Sequence, residues 1–274
     1  MRRVLTGLSG LVLLTSAIAW ASVQPSHGRE WIPEQRALPN AVFDGDRVTL
    51  SGVRDFRWEA GAATEQAWQT RSYDLADVAS VWYILTPFST DWRGPAHAFL
   101  SFGFGDGRYL AISVEARREV GEEYSIVKGM LKRFELMYVI GDEQDLVHLR
   151  ASRGDEVYAY PVRATPAQAR ALLTGMLTRA NELHDQPRFY GSLFNNCTTN
   201  ILRHVNAVAA RKIRYGRRVL LPGYSDQLAL ERGLIDTDLG IDEARQRFRV
   251  DGSIPTGDDY SRRIRGIEPT ALER

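Results

Sequence analysis

The sequence predicts an α+β fold, and two observations carry this prediction. Between residues 47 and 162, short apolar or alternating runs are typical of β-strands. After Thr165, apolar residues instead recur at helical spacing. A chain that is rich in strands first and in helices later is typical of the α+β class.

Strands are predicted wherever apolar residues alternate or form a compact run bounded by glycine or polar residues. Residues 22–40 contain three prolines and are interpreted as an extended lead-in. Gly52 separates the first two predicted strands. The predicted strands cover residues 47–50, 56–58, 81–85, 96–104, 109–116, 132–140, 145–150 and 157–162.

Two helices follow the strands. Thr165, Pro166 and Gln168 form the pattern of a capping box with proline at the first helical position, and Pro187 ends this helix. A second helix is expected to begin at Cys197. One domain is thus predicted over residues 22–250, followed by an irregular tail over residues 251–274.

The first 21 residues have the layout of a secretory signal peptide. Arg2 and Arg3 precede an apolar run that ends in the small residues Ala17, Ala19 and Ala21. The run is short for a membrane span. We therefore expect a cleaved leader and a periplasmic mature chain, with an uncleaved anchor as the less favoured alternative.

Charge and cysteine content narrow the classes of function. The chain has 35 Lys and Arg against 34 Asp and Glu, and the leader holds two arginines and no acid. The mature chain is therefore nearly neutral, which gives no basis for a nucleic-acid partner. Its one cysteine, Cys197, and its scattered histidines lack the spacing of a zinc site, so neither metal nor cofactor is predicted.

The predicted hairpin of residues 96–117 places a histidine next to a carboxylate. A two-residue turn would set its apolar face against its polar face, so burial selects a three-residue turn that pairs Phe104 with Arg108. In that register His97 lies opposite Glu115 and diagonal to Ser113. A carboxylate partner would orient the imidazole and favour its charged form, whereas the alternative is an ordinary cross-strand ion pair.

Cys197 has the sequence context of a nucleophile. Asn196 is a preferred N-cap, and free amides at a helix start lower the pKa of a thiol. A single thiol in an oxidising compartment also calls for a function, although a buried inert cysteine is the alternative. We predict Cys197 as nucleophile and His97 as base, with Glu115 or Ser113 orienting the ring.

Further residues are candidates for contact with substrate. Asn196 and Ser113 lie beside the predicted dyad, and Arg117 and Arg150 could bind a charged group or form salt bridges. His148, between Val147 and Leu149 in a predicted strand, is interpreted as structural.

These segments resemble a known family. Residues 96–102, 112–117 and 196–199 are similar to those of the Lnb N-terminal periplasmic domain family, and the likeness runs from about residue 53 to 222. The order of histidine before cysteine also resembles the permuted NlpC-like branch of the papain superfamily. The resemblance implies a papain-like antiparallel sheet packed against a nucleophile helix, cysteine–histidine acyl chemistry, and lipoprotein N-acylation as one role.

Two classes of function follow. The first is a periplasmic thiol acyltransferase or amidase/hydrolase that acts on envelope lipid, lipoprotein or peptidoglycan. The second is a non-catalytic envelope-binding module, because residues 186–225 contain no acid but seven cations that could meet a membrane surface or wall polymer. These are Arg188, Arg203, Arg211, Lys212, Arg214, Arg217 and Arg218.

Overall fold

A computed structural model describes residues 22–267, and these residues form an α+β architecture. The predicted fold class is confirmed at this level. The predicted leader over residues 1–21 lies outside the described residues and stays a prediction. Eight strands are present in this part of the chain: β1 Asn40–Asp44, β2 Arg47–Glu59, β3 Ala62–Asp74, β4 Val78–Pro87, β5 Ala96–Phe104, β6 Tyr109–Arg117, β7 Glu135–Gly141 and β8 Tyr158–Pro161.

The helices lie mainly in the second half of the chain, and most are short. The two long ones begin with capping boxes at Thr165 and Asn196, as the sequence predicted. Their ranges are α1 Ile126–Met130, α2 Glu143–Leu146, α3 His148–Ala151, α4 Pro166–Asp185, α5 Cys197–Val208, α6 Arg217–Leu220, α7 Ser225–Glu231, α8 Ile241–Arg247 and α9 Tyr260–Arg263, with 3-10 turns at Pro33–Gln35, Leu75–Asp77 and Pro222–Tyr224.

All eight strands join one sheet in the order β1-β2-β7-β6-β5-β4-β8, with β3 paired to β2 outside this path. Neighbouring strands are antiparallel except for a single parallel pair between β2 and β7. Both β5 and β6 lie in the interior of the sheet. Every residue of β5 is buried, which fixes the position of the strand that carries His97.

The sheet buries both of its faces, because successive residues of a strand point to opposite sides. Ala98, Leu100 and Phe102 of β5 belong to the larger core, which also contains the apolar residues of α4 and Cys197 and Ile201 of α5. Phe99 belongs to a second core with residues of α2, α3 and α9. Each fully buried leucine or phenylalanine contributes about 1.5–3 kcal/mol of burial free energy, so the two cores hold the hairpin rigidly.

The predicted strands 47–50 and 56–58 are one continuous strand, β2. Gly52 does not break it but forms a bulge, at which the pairing with β3 shifts between Leu50 and Val53. Its φ is +67°, and a Cβ at this position would lie 2.7 Å from the carbonyl oxygen of Leu38. Glycine is therefore required here by both backbone conformation and close packing.

The predicted strand over residues 145–150 is wrong, because this segment forms α2 and α3. The Asp142 side chain accepts a hydrogen bond from the backbone N–H of Asp145 and caps α2. The Asp145 carboxylate in turn accepts two hydrogen bonds of 2.8 Å from the Arg54 guanidinium. This buried pair holds the short helices against β2, and no periodic pattern in the sequence reports it.

The end of the domain packs against the rest of it. Residues 251–259 have no regular secondary structure, whereas Tyr260 and Ile264 are buried in the second core. The Arg265 guanidinium forms a fully buried ion pair of 2.6 Å with Glu143. Residues up to 267 therefore contribute to the face of the sheet on which Phe99 lies.

Candidate active site

The hairpin that carries the candidate histidine has the predicted register. The Phe104 N–H donates to the Arg108 carbonyl at 2.9 Å, which closes the three-residue turn. Regular pairing ends at Phe99 and Ser113, two residues short of His97. The His97 and Glu115 side chains nevertheless meet on one face, with Nε2 of His97 at 3.2 Å from Oε1 of Glu115.

Ser113 lies between the histidine and the carboxylate. Its hydroxyl donates to Oε1 of Glu115 at 2.6 Å. Since that proton is committed, the Ser113 oxygen is the acceptor for the His97 Nε2–H at 2.7 Å. This fixes the tautomer of His97 and leaves Nδ1 as the ring nitrogen that can accept a proton from a thiol.

Arg150 closes the chain of polar contacts from the other side. Its guanidinium donates to Oε1 of Glu115 at 3.1 Å and to the carbonyl of Leu146 at 2.6 Å. Its charge also lies over the Phe99 ring, 5.0 Å from the centroid. The corrected helical segment 143–151 thus supplies the residue that holds Glu115 in place.

Cys197 is the first residue of α5, as predicted. The Asn196 side chain accepts from the Thr199 N–H at 2.9 Å, and the Thr199 hydroxyl accepts from the Asn196 N–H at 2.9 Å. Both halves of a capping box are therefore present. The box leaves the Cys197 amide in the first helical turn, where backbone N–H groups have no acceptor within the helix.

Cys197 and His97 line the same cleft, and the imidazole acts on the pKa of the thiol through both hydrogen bonding and charge. Burial of the thiol is the largest single influence and acts to raise its pKa, whereas the hydrogen bonding and the positive charge of His97 both act to lower it. The backbone N–H of Ala98 and the hydroxyl of Thr198 act in the same direction. The pKa of Cys197 consequently lies below its usual value, which favours the thiolate.

The pKa values of His97 and Glu115 are shifted in the directions that favour their charged forms. Burial disfavours the charged ring of His97, but the charge of Glu115 and the hydrogen bonding of Cys197 and Glu115 together outweigh burial and raise the pKa of His97 to about 9. Burial likewise acts against the charged Glu115, yet the charges of His97 and Arg150 hold its pKa well below the usual range. The geometry therefore favours a thiolate–imidazolium pair backed by a carboxylate.

Cys197 lies where two clefts of different character meet. A cleft of about 460 Å³ is lined mainly by polar and charged side chains, among them Arg54, Arg118 and Arg150. A second cleft of about 240 Å³ is lined mainly by apolar ones, among them Trp92, Ile126 and Leu221. Both clefts share the walls Phe88, Ala96, Tyr124, Tyr190 and Cys197.

Sequence reasoning missed two tyrosines at this junction. The hydroxyls of Tyr124 and Tyr190 lie 3.3 Å apart. Burial and then the negative charge of Cys197 raise the pKa of Tyr190, so its hydroxyl stays protonated as a donor near the sulfur. Tyr124 lies far from Cys197 along the chain, and Tyr190 lies in the irregular segment just before the helix of Cys197, so neither belongs to a periodic pattern that would have identified it.

Of the four residues predicted to contact substrate, two line the clefts and two do not. Arg150 lines the polar cleft, and Asn196 lines the apolar one while its amide caps α5. Arg117 is not among the cleft-lining residues: its guanidinium donates to the carbonyls of Gln35 and Arg36 and covers the Trp31 ring. The guanidinium of Arg117 thus fixes the lead-in, and Ser113 bridges His97 and Glu115.

The remaining histidines are engaged elsewhere. His148 was expected in a strand but begins α3, where its ring packs edge-on against Tyr260 at 5.6 Å. The Nε2 of His204 is paired with the Tyr138 hydroxyl at 2.9 Å. No group of three His, Cys, Asp or Glu suited to a metal ion occurs within residues 22–267.

Comparison with known proteins gives a family but no close relative. No curated protein and no solved structure matches the chain. In the described part, none of the helices has both the length and the apolar character needed to cross a bilayer. The family model of the Lnb N-terminal periplasmic domain matches residues 64–223, more than half of the chain, and suggests a periplasmic location. The chain therefore belongs to the Lnb N-terminal periplasmic domain family.

Proposed function

We propose that this protein is a thiol-dependent acyltransferase or amidase/hydrolase of the cell envelope. The observation that carries the proposal is that Cys197, at a capped helix start, lines the same cleft as His97, whose Nε2 is held by Ser113 and Glu115. The imidazole also lowers the pKa of the thiol. Nucleophilic catalysis requires a thiolate, an adjacent base and a group that orients the base. The arrangement of Cys197, His97 and Glu115 supports an assignment to these three roles.

The reaction proceeds in two halves. The Cys197 sulfur adds to an acyl carbonyl, and the resulting oxyanion lies within reach of amides at the start of α5. Nδ1–H of imidazolium His97 gives its proton to the departing alcohol or amine as the acyl bond breaks, which leaves a thioester on Cys197. His97 then takes a proton from an amine or water that attacks the thioester, and the thiolate is regenerated.

The clefts support a substrate with two unlike parts. An acyl chain fits the apolar cleft beside Trp92 and Leu221, because burial of each CH₂ group contributes about 0.8 kcal/mol. A charged or polar portion fits the cleft that Arg118 and Arg150 line. Lipid or lipoprotein substrates fit both clefts, whereas a peptidoglycan peptide would leave the apolar cleft unfilled.

The same arrangement supports a papain-like interpretation of the fold. In this interpretation α5 is the nucleophile helix, packed on an antiparallel sheet whose earlier strand β5 carries His97. The permuted order, histidine before cysteine, corresponds to the NlpC-like branch.

A non-catalytic envelope-binding module is the second candidate, and the acid-free cationic stretch favours it. Exposed arginines would bind anionic polymers or head groups without any role for a thiol. Such a module has no need for an activated cysteine or for an imidazole held by a carboxylate. The two candidates therefore predict different results when the Cys197 sulfur is removed. An enzyme would lose its activity, whereas a binding module would keep its affinity for the envelope.

Product analysis separates the substrates. Purified protein is incubated with diacyl phospholipid vesicles, with a diacylated lipopeptide and with muropeptides, and the products are measured by mass spectrometry. We expect release or transfer of an acyl group from one of the lipid substrates, and loss of that product in Cys197→Ala. Products only from muropeptides would redirect the proposal to amide cleavage, and no Cys197-dependent product from any substrate would contradict it.

A further inference from the structure

A group of large apolar side chains is exposed around the mouth of the apolar cleft. Eleven of the sixteen exposed large hydrophobic residues in the described chain come from segments 88–92, 120–131 and 193–215. We call segments 88–92, 120–131 and 192–194 the cleft rim. Tyr215, the last of the eleven residues, lies outside this rim. Phe194 is the most exposed of its large apolar residues, at 72%, and Trp92 is 55% exposed.

Helix α1 within the rim directs its apolar side chains to solvent. Ile126, Val127, Met130 and the following Leu131 are all exposed, and Gly129 is the only buried residue of the helix. A Cβ on Gly129 would lie 2.2 Å from the Ser192 hydroxyl, so glycine allows this helix to lie flat on the cleft wall. A short helix that packs through its glycine and exposes its aliphatic residues lacks its partner surface.

The three segments of the rim are joined into one surface. The rings of Phe88 and Tyr124 lie 6.4 Å apart, and the Ser192 hydroxyl donates to the Ile126 carbonyl at 2.8 Å. The Tyr215 hydroxyl donates to the Leu193 carbonyl at 2.8 Å and its ring contacts Phe194. Tyr215 thus connects the rim to the cationic stretch.

The surface next to the rim is positively charged. Arg211, Lys212, Arg214 and Arg217 flank Tyr215 and are exposed. Arg211, Arg214 and Arg217 form no salt bridge with any residue between 22 and 267, so their charges are available to a partner. Lys128 of α1 adds a further exposed cation inside the rim.

We propose that the cleft rim docks on the surface of an anionic lipid bilayer. A bilayer leaflet presents anionic head groups above an apolar interior, and the protein presents exposed apolar side chains flanked by unpaired cations. Aromatic side chains such as those of Trp92 and Tyr215 are suited to the boundary between these layers. This docking would open the apolar cleft beside Cys197 directly toward the lipid.

Docking rests on the rim and not on thiol chemistry, so it can be tested without catalysis. In full-length protein carrying Cys197→Ser, a polarity-sensitive fluorophore is attached through Val127→Cys, Phe194→Cys or, as control, Val42→Cys. Val42 is 62% exposed but lies on edge strand β1, and it reports binding by any other surface. A contribution of residues 1–21 to vesicle binding would be common to all three proteins.

With vesicles of phosphatidylglycerol and phosphatidylethanolamine, we expect a blue shift at positions 127 and 194 and none at 42. Neutral phosphatidylcholine vesicles should give a much weaker shift. Arg214→Gln with Arg217→Gln should weaken binding about 25-fold, at about fivefold per lost charge. The matched control, Arg47→Gln with Arg249→Gln, removes two exposed arginines elsewhere and should leave the affinity unchanged. Rim positions that stay in water, or an equal shift at position 42, would overturn the proposal.

Discussion

Replacement of His97 by alanine should raise the pKa of Cys197 strongly. His97 supplies both the hydrogen bond and the positive charge that oppose the effect of burial on the thiol. Without the ring, burial remains as the largest influence, and the thiol should titrate above the free-cysteine value of about 8.5. The Ala98 N–H and the Thr198 hydroxyl would offset burial only in part.

The size of the effect is set by the attraction between the two opposite charges. Opposite charges about 4 Å apart attract by about 4 kcal/mol at an effective dielectric constant near 20, which corresponds to about 3 pKa units. Relaxation and entering water would reduce this, so we expect an increase of about 2 units or more. The rate of alkylation at any pH below both pKa values should therefore fall by about 100-fold, and the titration midpoint should move up by the same amount, about 2 units.

Alkylation by iodoacetamide, followed as a function of pH, measures the thiolate directly. The single cysteine of the chain makes the signal unambiguous. Glu115→Gln should shift the midpoint less, because Glu115 acts on the thiol through His97. His184→Ala, which removes a half-exposed histidine at the end of α4, is the control and should have no effect. An alkylation profile that is the same in His97→Ala and in the unmodified protein would refute the dyad.

Three further predictions concern the surroundings of the site. Arg150→Met should lower the free energy of unfolding by about 2 kcal/mol in chemical denaturation, because it breaks the ion pair with Glu115. The value is moderate because the Glu115 side chain is 24% exposed and is partly screened by solvent. An unchanged denaturation midpoint would count against a positioning role for Arg150. Burial lowers the pKa of His204 to about 4, so stability present above pH 6.5 should be lost as the pH falls toward 4, by roughly 3 kcal/mol. His204→Leu should flatten this part of the stability profile, and an equally steep profile would contradict the assignment. Gly223→Ala should destabilise the fold by about 3 kcal/mol in thermal unfolding, because its Cβ would lie 1.1 Å from the Arg93 carbonyl oxygen, whereas Gly216→Ala, with open space around it, should be neutral.

Local patterns in the sequence predicted the two elements that carry the candidate residues His97 and Cys197. The alternation of β5 and β6 decides the hairpin register, because a one-residue slip would expose a buried face. The capping pattern at Asn196 decides where α5 begins. These two local rules place the thiol and the imidazole on the correct elements, but the contact between them depends on the packing of α5 on the sheet.

Long-range contacts account for what the sequence did not reveal. The strand β3 was not predicted because its residues are mostly polar and exposed, and only pairing with β2 makes it a strand. Residues 145–150 have the alternation of a strand, yet the buried pair between Arg54 and Asp145 fixes them in helical turns. The role of Arg150 was open for the same reason, because its distance from Glu115 is set by that segment.

The central claim is that Cys197 forms an acyl-enzyme, and intact-mass spectrometry tests it most directly. The protein is mixed with the lipid substrates, quenched in acid within one turnover and digested to locate the modification. The account predicts an acyl adduct on Cys197 that hydroxylamine removes, and no adduct in Cys197→Ala. His97→Ala should form the adduct far more slowly. An unmodified Cys197 with every lipid and muropeptide substrate, in protein whose thiol is reactive toward iodoacetamide, would contradict the claim.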